Sequence, residues 1–344
     1  MTQLSNTNSR PAVFAPGAAQ LIQVGRMMPK LEAALGEEFT VVRLPADDRK
    51  DFFATEAAGI PIAVTAGESG LNGEEIRALP ALRAIVNFGA GYDAIDARVA
   101  AERGVMVSNT PDVLTDCVAD MTIGLLIDLL RNLSSADRFV RRGGWETRSF
   151  PLAARVSGKR VGIVGLGRIG RAIAHRLEAF NITVSYHNRR PVSDVPFTYY
   201  DKPEALAAAN DVIIVAATGG PESAGLISRD VLAALGPQGY LINIARGSVI
   251  DEIALVEALA SGGIAGAGMD VFAHEPHVPA ELKDMDNVVL LPHIGSGTRE
   301  TRDAMAELVL ANIRQFITDG TLLTRVLGVS RGDDVGVTPC DDGF

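Results

Sequence analysis

Cysteine is nearly absent: Cys117 and Cys340 are the only two in 344 residues. Cys117 lies in an apolar helical pattern and Cys340 in a tail rich in Gly and Asp, so a disulfide framework is not expected. Cys117 is instead expected to pack in a core. Positive charge is also in deficit, with 32 Lys and Arg against 42 Asp and Glu and a formal net charge of -10. That balance argues against general affinity for nucleic-acid phosphate, which needs a clustered basic surface to release counterions. Long apolar runs are missing as well. The most apolar stretch, Met121 to Leu130, carries Asp128 and falls well short of the roughly 20 residues of a membrane span. Met1 to Arg10 lacks the basic start and apolar run of a secretory signal, so a cytoplasmic location is expected. Among the histidines, His175 and His187 read as helix-surface and turn residues. His274 and His277 flank Glu275 without the spacing of a metal site, and no metal is expected. There is no short-period repeat and no low-complexity block.

Glycine is what the chain has in excess: 35 residues, above an average share of about 7%, which implies many tight turns. Hydrophobic residues at 47% and charged residues at 22% are the composition of a globular protein. The length exceeds what one core supports and, at about 150 residues per domain, implies two domains. Short apolar runs alternate with helical patterns at Gln20–Val24, Phe39–Leu44, Pro61–Thr65, Ala84–Phe88 and Val105–Val107. This is the rhythm of βα units building a parallel sheet. A helical stretch from Pro111 to Val140 follows, opened by Asn109-Thr110-Pro111. A second series of strands is expected at Val161–Val164, Thr183–Tyr186, Val212–Ala216, Tyr240–Ile244, Ile264–Met269 and Val288–Leu291, with a closing helix at about Arg299–Thr318. Two such series predict an α/β fold of two doubly wound, Rossmann-like parallel sheets. The tail after Leu327 is expected to be mobile or to lie across the surface.

Between a predicted strand, Arg160–Val164, and a predicted helix, Ile169–Phe180, stands Gly165-Leu166-Gly167-Arg168-Ile169-Gly170. In that setting the first glycine makes the tight turn, the second admits the pyrophosphate of a dinucleotide, and the third lets helix pack on strand. The helix N-terminus supplies N–H groups and positive potential to the phosphates. About 20 residues beyond the last glycine, where an acid would take a ribose 2′-hydroxyl, the chain reads Asn188-Arg189-Arg190. Arginine favours a 2′-phosphate, so NADP(H) is preferred and NAD(H) remains possible. The other reading of this segment is a solvated basic turn without discrimination.

Three further segments follow predicted strands: Asn243–Gly247, Asp270–Pro276 and Leu291–Ser296. The carboxyl ends of strands line the ligand crevice of such sheets, so Arg246, Glu275 and His293 can converge. These residue types fit what reduction of a 2-keto acid needs: a cation for the carboxylate and a proton donor for the oxygen, near a hydride donor. Taken singly, Arg246 could sit in a surface ion pair, His293 could be a core histidine, and Glu275 an ordinary loop acid. Taken in this order, with Asn87–Asp93, Asn109-Thr110-Pro111 and Gly162–Gly170, they resemble the D-isomer-specific 2-hydroxyacid dehydrogenases, nearest their glyoxylate/hydroxypyruvate reductase branch, from about Gln20 to Leu327.

The resemblance implies that Arg246 holds the substrate's carboxylate and carbonyl, that His293 protonates the carbonyl oxygen, and that Glu275 hydrogen-bonds His293. It implies that backbone N–H groups around Ala90 and Gly91 take the substrate carboxylate. Cofactor contacts are implied at Gly165, Gly167, Arg168, Ile169, Asn188, Arg189, Arg190, Thr115, Ala217, Ala245, Asp270 and Gly295, with Asp270 beside the nicotinamide carboxamide. It further implies a substrate-binding domain of residues 1–109 plus 298–344, a coenzyme domain of residues 110–297, an interdomain cleft and a homodimer. The expected reaction is NADPH-dependent reduction of glyoxylate or hydroxypyruvate to glycolate or D-glycerate. A bulkier substrate such as an aryl pyruvate, and a dinucleotide-sensing protein resembling transcriptional corepressors, are the alternatives. Departures from the family pattern are Ala216–Pro221 in place of a proline-containing cofactor loop, Gly297 for alanine, and Arg148 for an aromatic residue in the arm Gly143–Phe150.

Overall fold

In the computed structural model, residues 19–45, 49–67 and 69–326 are described. They form two compact units, one of the described residues up to Val113 and from Asp303 onward, the other of Leu114–Arg302. Each contains one all-parallel sheet.

In the first unit the strands are β1 (Gln20–Val24), β2 (Thr40–Arg43), β3 (Ile62–Ala66), β4 (Ala84–Phe88) and β5 (Met106–Ser108), in the order β2-β1-β3-β4-β5. This is the flavodoxin-like order of a doubly wound sheet. Ile22, Ala63, Ile85 and Val107 form a core with Phe52, Phe53, Ile76 and Leu79. Every residue of β4 is buried, Asn87 included.

The second unit contains β6 (Arg160–Val164), β7 (Thr183–His187), β8 (Thr198–Tyr200), β9 (Val212–Val215), β10 (Tyr240–Asn243), β11 (Gly266–Met269) and β12 (Val288–Leu290), in the order β12-β11-β10-β9-β6-β7-β8. The strands β9 and β11 are buried throughout, as expected where helices cover both faces of a parallel sheet. The chain proceeds from β6 to β7 on one side and later to β9 on the other. The turn after β6 therefore opens at the point where strand order reverses, which is where doubly wound sheets bind ligands.

Four sequence expectations need correction. The stretch Pro111–Val140 is two helices, Thr115–Arg131 and Leu133–Arg141, broken at Asn132, whose φ of 54° and ψ of 39° are left-handed. Asparagine tolerates that conformation, and the carboxylate of Asp128 secures the break by accepting the Ser134 N–H at 2.8 Å. The first of these helices starts four residues later than expected because Asp112 has φ 67°. The strand β8 was not anticipated, since three residues in a polar stretch carry no periodic signal. Cys117 is only partly buried and its thiol lies 3.6 Å from Thr298 Oγ1, so it is not a core residue. The polar leader, Cys340 and the tail fall outside the described residues.

Candidate active site

The glycine turn has the geometry its spacing implies. Gly165 follows β6 with φ +100°, and a Cβ there would stand 2.6 Å from the Ala217 backbone, so only glycine satisfies both turn and approach. A Cβ on Gly170 would meet the Gly165 carbonyl oxygen at 2.2 Å, which is the close packing of helix Arg168–Glu178 against the turn. At Gly167 nothing lies within 4 Å. That open side adjoins the start of the helix, whose N-cap has no side-chain partner, leaving orphan N–H donors for an anion. The residues present therefore suit a dinucleotide pyrophosphate.

Asn188 braces this turn: its Oδ1 accepts the Leu166 N–H at 2.7 Å. It was expected to act only on the cofactor, and the brace is a role that sequence reasoning missed. Arg189 and Arg190 are exposed at the end of β7. Arg189 is paired with Glu222, from the loop after β9.

The candidate catalytic side chains follow β10, β11 and β12. Asn243, fully buried at the end of β10, shapes the next turn: its Oδ1 accepts the Ala245 N–H at 3.0 Å and its Nδ2 donates to the Arg246 carbonyl at 2.9 Å. Ala245 is buried below that turn and Arg246 is half-buried. A Cβ on Gly247 would stand 1.9 Å from the Phe272 carbonyl carbon, so glycine lets the turn close against the segment after β11.

Glu275 accepts the Phe272 N–H at 2.9 Å through Oε1 and meets His293 Nδ1 at 2.7 Å through Oε2. With Oε1 held by backbone, the second oxygen is aimed at the ring. His293 itself has φ +52°, a left-handed conformation uncommon for a side chain of this size. Asp270 holds it there. Its carbonyl accepts the His293 N–H at 2.9 Å, and its carboxylate accepts the N–H groups of Ile294 at 2.8 Å and Gly295 at 2.9 Å. Asp270 thus shapes the loop that presents His293, a role the sequence did not disclose.

The electrostatics follow from these contacts. The hydrogen bond to Glu275 raises the His293 pKa above the ordinary 6.5; burial and the Arg246 charge oppose it, while the Glu275 and Asp270 charges add to it. The Asp270 pKa is raised chiefly by burial, against the pull of its two backbone donors. Arg246, Glu275, His293 and Asp270 thus form one electrostatic group. Thr115 opens helix Thr115–Arg131, one of whose residues, Val118, lies 3.5 Å from a Cβ built on Gly295.

In the first unit, Gly89–Tyr92 follow β4 as a half-buried loop. In the second, Arg148 stacks on the Phe139 ring at 5.3 Å. Among the described residues, no three His, Cys, Asp or Glu are grouped to hold a metal, and no helix is long and apolar enough to cross a membrane.

This arrangement can bind a dinucleotide and move a proton beside a cation, and comparison with known proteins agrees. The family model of the D-isomer specific 2-hydroxyacid dehydrogenase, NAD binding domain, matches residues 123–295. A hydroxyphenylpyruvate reductase of Plectranthus scutellarioides is 46% identical over 304 residues, 88% of this chain and 96% of its own. A 2-ketogluconate reductase of Gluconobacter oxydans is 40% identical over 89% of this chain and 98% of its own. The crystal structure of an NADPH-dependent glyoxylate/hydroxypyruvate reductase from Sinorhizobium meliloti, in complex with NADP and malonate, superposes with a TM-score of 0.86 at 42% identity, covering 90% of this chain and 97% of that one. With these relatives all named as reductases, the non-enzymatic alternative is set aside. The chain belongs to the D-isomer-specific 2-hydroxyacid dehydrogenase family and is a nicotinamide-dinucleotide-dependent 2-keto acid reductase.

Proposed function

We propose that this reductase prefers NADPH and acts on small 2-keto acids, reducing glyoxylate or hydroxypyruvate to glycolate or D-glycerate. The observation that carries the catalytic assignment is the 2.7 Å contact of Glu275 with His293 Nδ1, and in this reading Nε2 is the nitrogen that delivers the proton. In this reading Arg246 holds the substrate carboxylate and carbonyl oxygen by its planar fork of donors. The Ala90–Gly91 backbone is the carboxylate-holding element of the first unit, which becomes the substrate-binding domain, with the coenzyme domain in the second. Reduced nicotinamide, when bound, supplies the hydride. His293 gives its proton to the carbonyl oxygen as charge develops there, and Glu275 stabilises the imidazolium until that moment. Asp270 and Gly295 keep the His293 loop in place, while Gly165, Gly167, Arg168 and Ile169 hold the pyrophosphate. Thr115, Ala217 and Ala245 are assigned to the remaining cofactor contacts.

NADPH preference rests on Arg189 and Arg190, with Asn188 between them and the glycine turn. A 2′-phosphate would take Arg189 from Glu222. Exposed Val140, Trp145 and Leu152 support pairing of two copies along the arm. The identity with a hydroxyphenylpyruvate reductase favours a second reading, in which the substrate is an aryl pyruvate. Comparing kcat/KM for glyoxylate, hydroxypyruvate and phenylpyruvate, each with NADH and NADPH, decides both questions. A higher value with phenylpyruvate would replace the small-acid reading, and equal values with both coenzymes would remove the NADPH preference.

A further inference from the structure

The loop after β4 is held from behind by two side-chain amides. Asn87, 1% exposed, donates through Nδ2 to the Gly89 carbonyl at 3.2 Å and the Gly91 carbonyl at 2.8 Å. Asn109 donates through Nδ2 to the Ala90 carbonyl, between them, at 2.7 Å. The Thr110 N–H adds a second donor to Gly89 at 3.0 Å. Each of three successive carbonyls therefore has its own donor.

In a planar trans peptide, the C=O of one residue and the N–H of the next point in opposite directions. Fixing the carbonyls of Gly89, Ala90 and Gly91 turns the N–H groups of Ala90, Gly91 and Tyr92 the other way. Among the described residues, none of these three N–H groups has a backbone or side-chain acceptor. Three successive N–H groups without an acceptor are donors open to an anion.

The Asn87 amide is itself fixed, and the Asn109 backbone is held. Two carbonyl acceptors require the NH2 end of Asn87 to face the loop, and Thr65 donates its hydroxyl to the opposite end, Oδ1, at 2.9 Å. Behind Asn109, Thr324 donates its hydroxyl to the Asn109 carbonyl at 2.6 Å. A Cβ on Gly89 would come within 3.3 Å of Asn87 Nδ2, so the first glycine of the loop makes room for the clamp.

We propose that Asn87 and Asn109 are positioning residues that orient the N–H groups of Ala90, Gly91 and Tyr92 as a three-donor site for the substrate carboxylate, with Thr65 fixing the Asn87 amide. This rests on the reading of the Ala90–Gly91 loop as the carboxylate holder, and adds the Tyr92 N–H and the clamp to it. Asn87→Asp keeps the shape and replaces two N–H donors by at most one O–H, so at least one of the two carbonyls loses its partner. Thr65→Val removes the pin and Thr65→Ser restores it.

The test measures KM and kcat for hydroxypyruvate, fluorescence titration of NADPH, and calorimetric binding of oxamate, a carboxylate that is not reduced. Asn87→Asp is expected to raise KM and weaken oxamate by about tenfold or more, with kcat changed far less and NADPH affinity unchanged. Thr65→Val moves the same two quantities by less, and Thr65→Ser returns them to the parent values. Unchanged KM and oxamate affinity in folded Asn87→Asp and Thr65→Val, with the parent active, overturns the proposal while the functional reading stands. Weakened oxamate binding in variants of a parent that reduces no 2-keto acid upholds the clamp and overturns that reading. Should Asn87→Asp fail to fold, Thr65→Val decides alone.

Discussion

A buried asparagine shapes the turn at the end of one strand in each unit, and the two turns present different things. After β4, Asn87 binds the carbonyls of Gly89 and Gly91 and the loop shows backbone. After β10, Asn243 binds the Arg246 carbonyl and the Ala245 N–H, and the turn shows a guanidinium. Backbone donors are neutral and do not titrate, so the first unit's contribution should be indifferent to pH. The second unit gathers Arg246, Glu275, His293 and Asp270 into a set whose charges bias one another. In the proposed function, the same fold supports passive recognition in one unit and acid chemistry in the other.

That contrast breaks if the second unit's side chains prove dispensable. His293→Ala is expected to lower kcat by about 10² to 10⁴, the usual contribution of a positioned general acid, with the circular-dichroism spectrum and NADPH binding retained. Near-parental turnover would remove His293 from the mechanism. Arg246→Ala should follow, with kcat/KM for hydroxypyruvate lower by about 10² to 10³, since hydrogen bonds to a charged group are worth about 1.5–3 kcal/mol each. Arg246→Lys restoring most of the rate would show that a point charge suffices and that the planar fork is unnecessary. A smaller effect is expected at the cofactor: Arg189→Ser should raise the KM for NADPH by about tenfold and leave that for NADH in place. An equal change in both would assign Arg189 to general cofactor binding.

The subtlest effect, on pH, sharpens the comparison most. Reduction needs protonated His293, so kcat/KM should be high at low pH and fall as pH rises through a histidine pKa held above 6.5 by Glu275. Glu275→Gln replaces the charged acceptor behind that elevation by a neutral one and should move the falling limb to lower pH. A limb that stays where it was would mean that another group sets it. For folding the sign is the same: a histidine whose pKa is raised in the folded state contributes stability that is complete below its unfolded pKa and lost as pH rises through the folded one. Thermal melting against pH in parent and Glu275→Gln reads that difference. Thr65→Val, which adds no titratable group, should show no comparable change in pH profile.

The two sheets, the glycine turn and the grouping of Arg246, Glu275 and His293 were legible because each depends on local pattern. Parallel strands buried on both faces read as apolar runs such as Val212–Val215. Gly165, Gly167 and Gly170 stand at spacings set by one turn and one helix, and Arg246, Glu275 and His293 follow strand ends. The break at Asn132 was less legible, because apolar periodicity continues past it while one left-handed residue redirects the chain.

By itself, then, the sequence determined the element order, the dinucleotide turn and the chemistry available to the site. The tertiary structure alone decided which groups support that chemistry. Asn87 and Asn109 are far apart in sequence yet hold adjacent carbonyls. Asp270 is joined to the His293 loop only because β11 and β12 are neighbours. Hydrogen bonds between distant residues depend on strand register and side-chain direction, which a linear pattern of polar and apolar residues does not encode. The Gly165–Gly170 turn shows both sides: its glycines were readable from spacing, but its brace, Asn188, became visible only when β6 and β7 were paired.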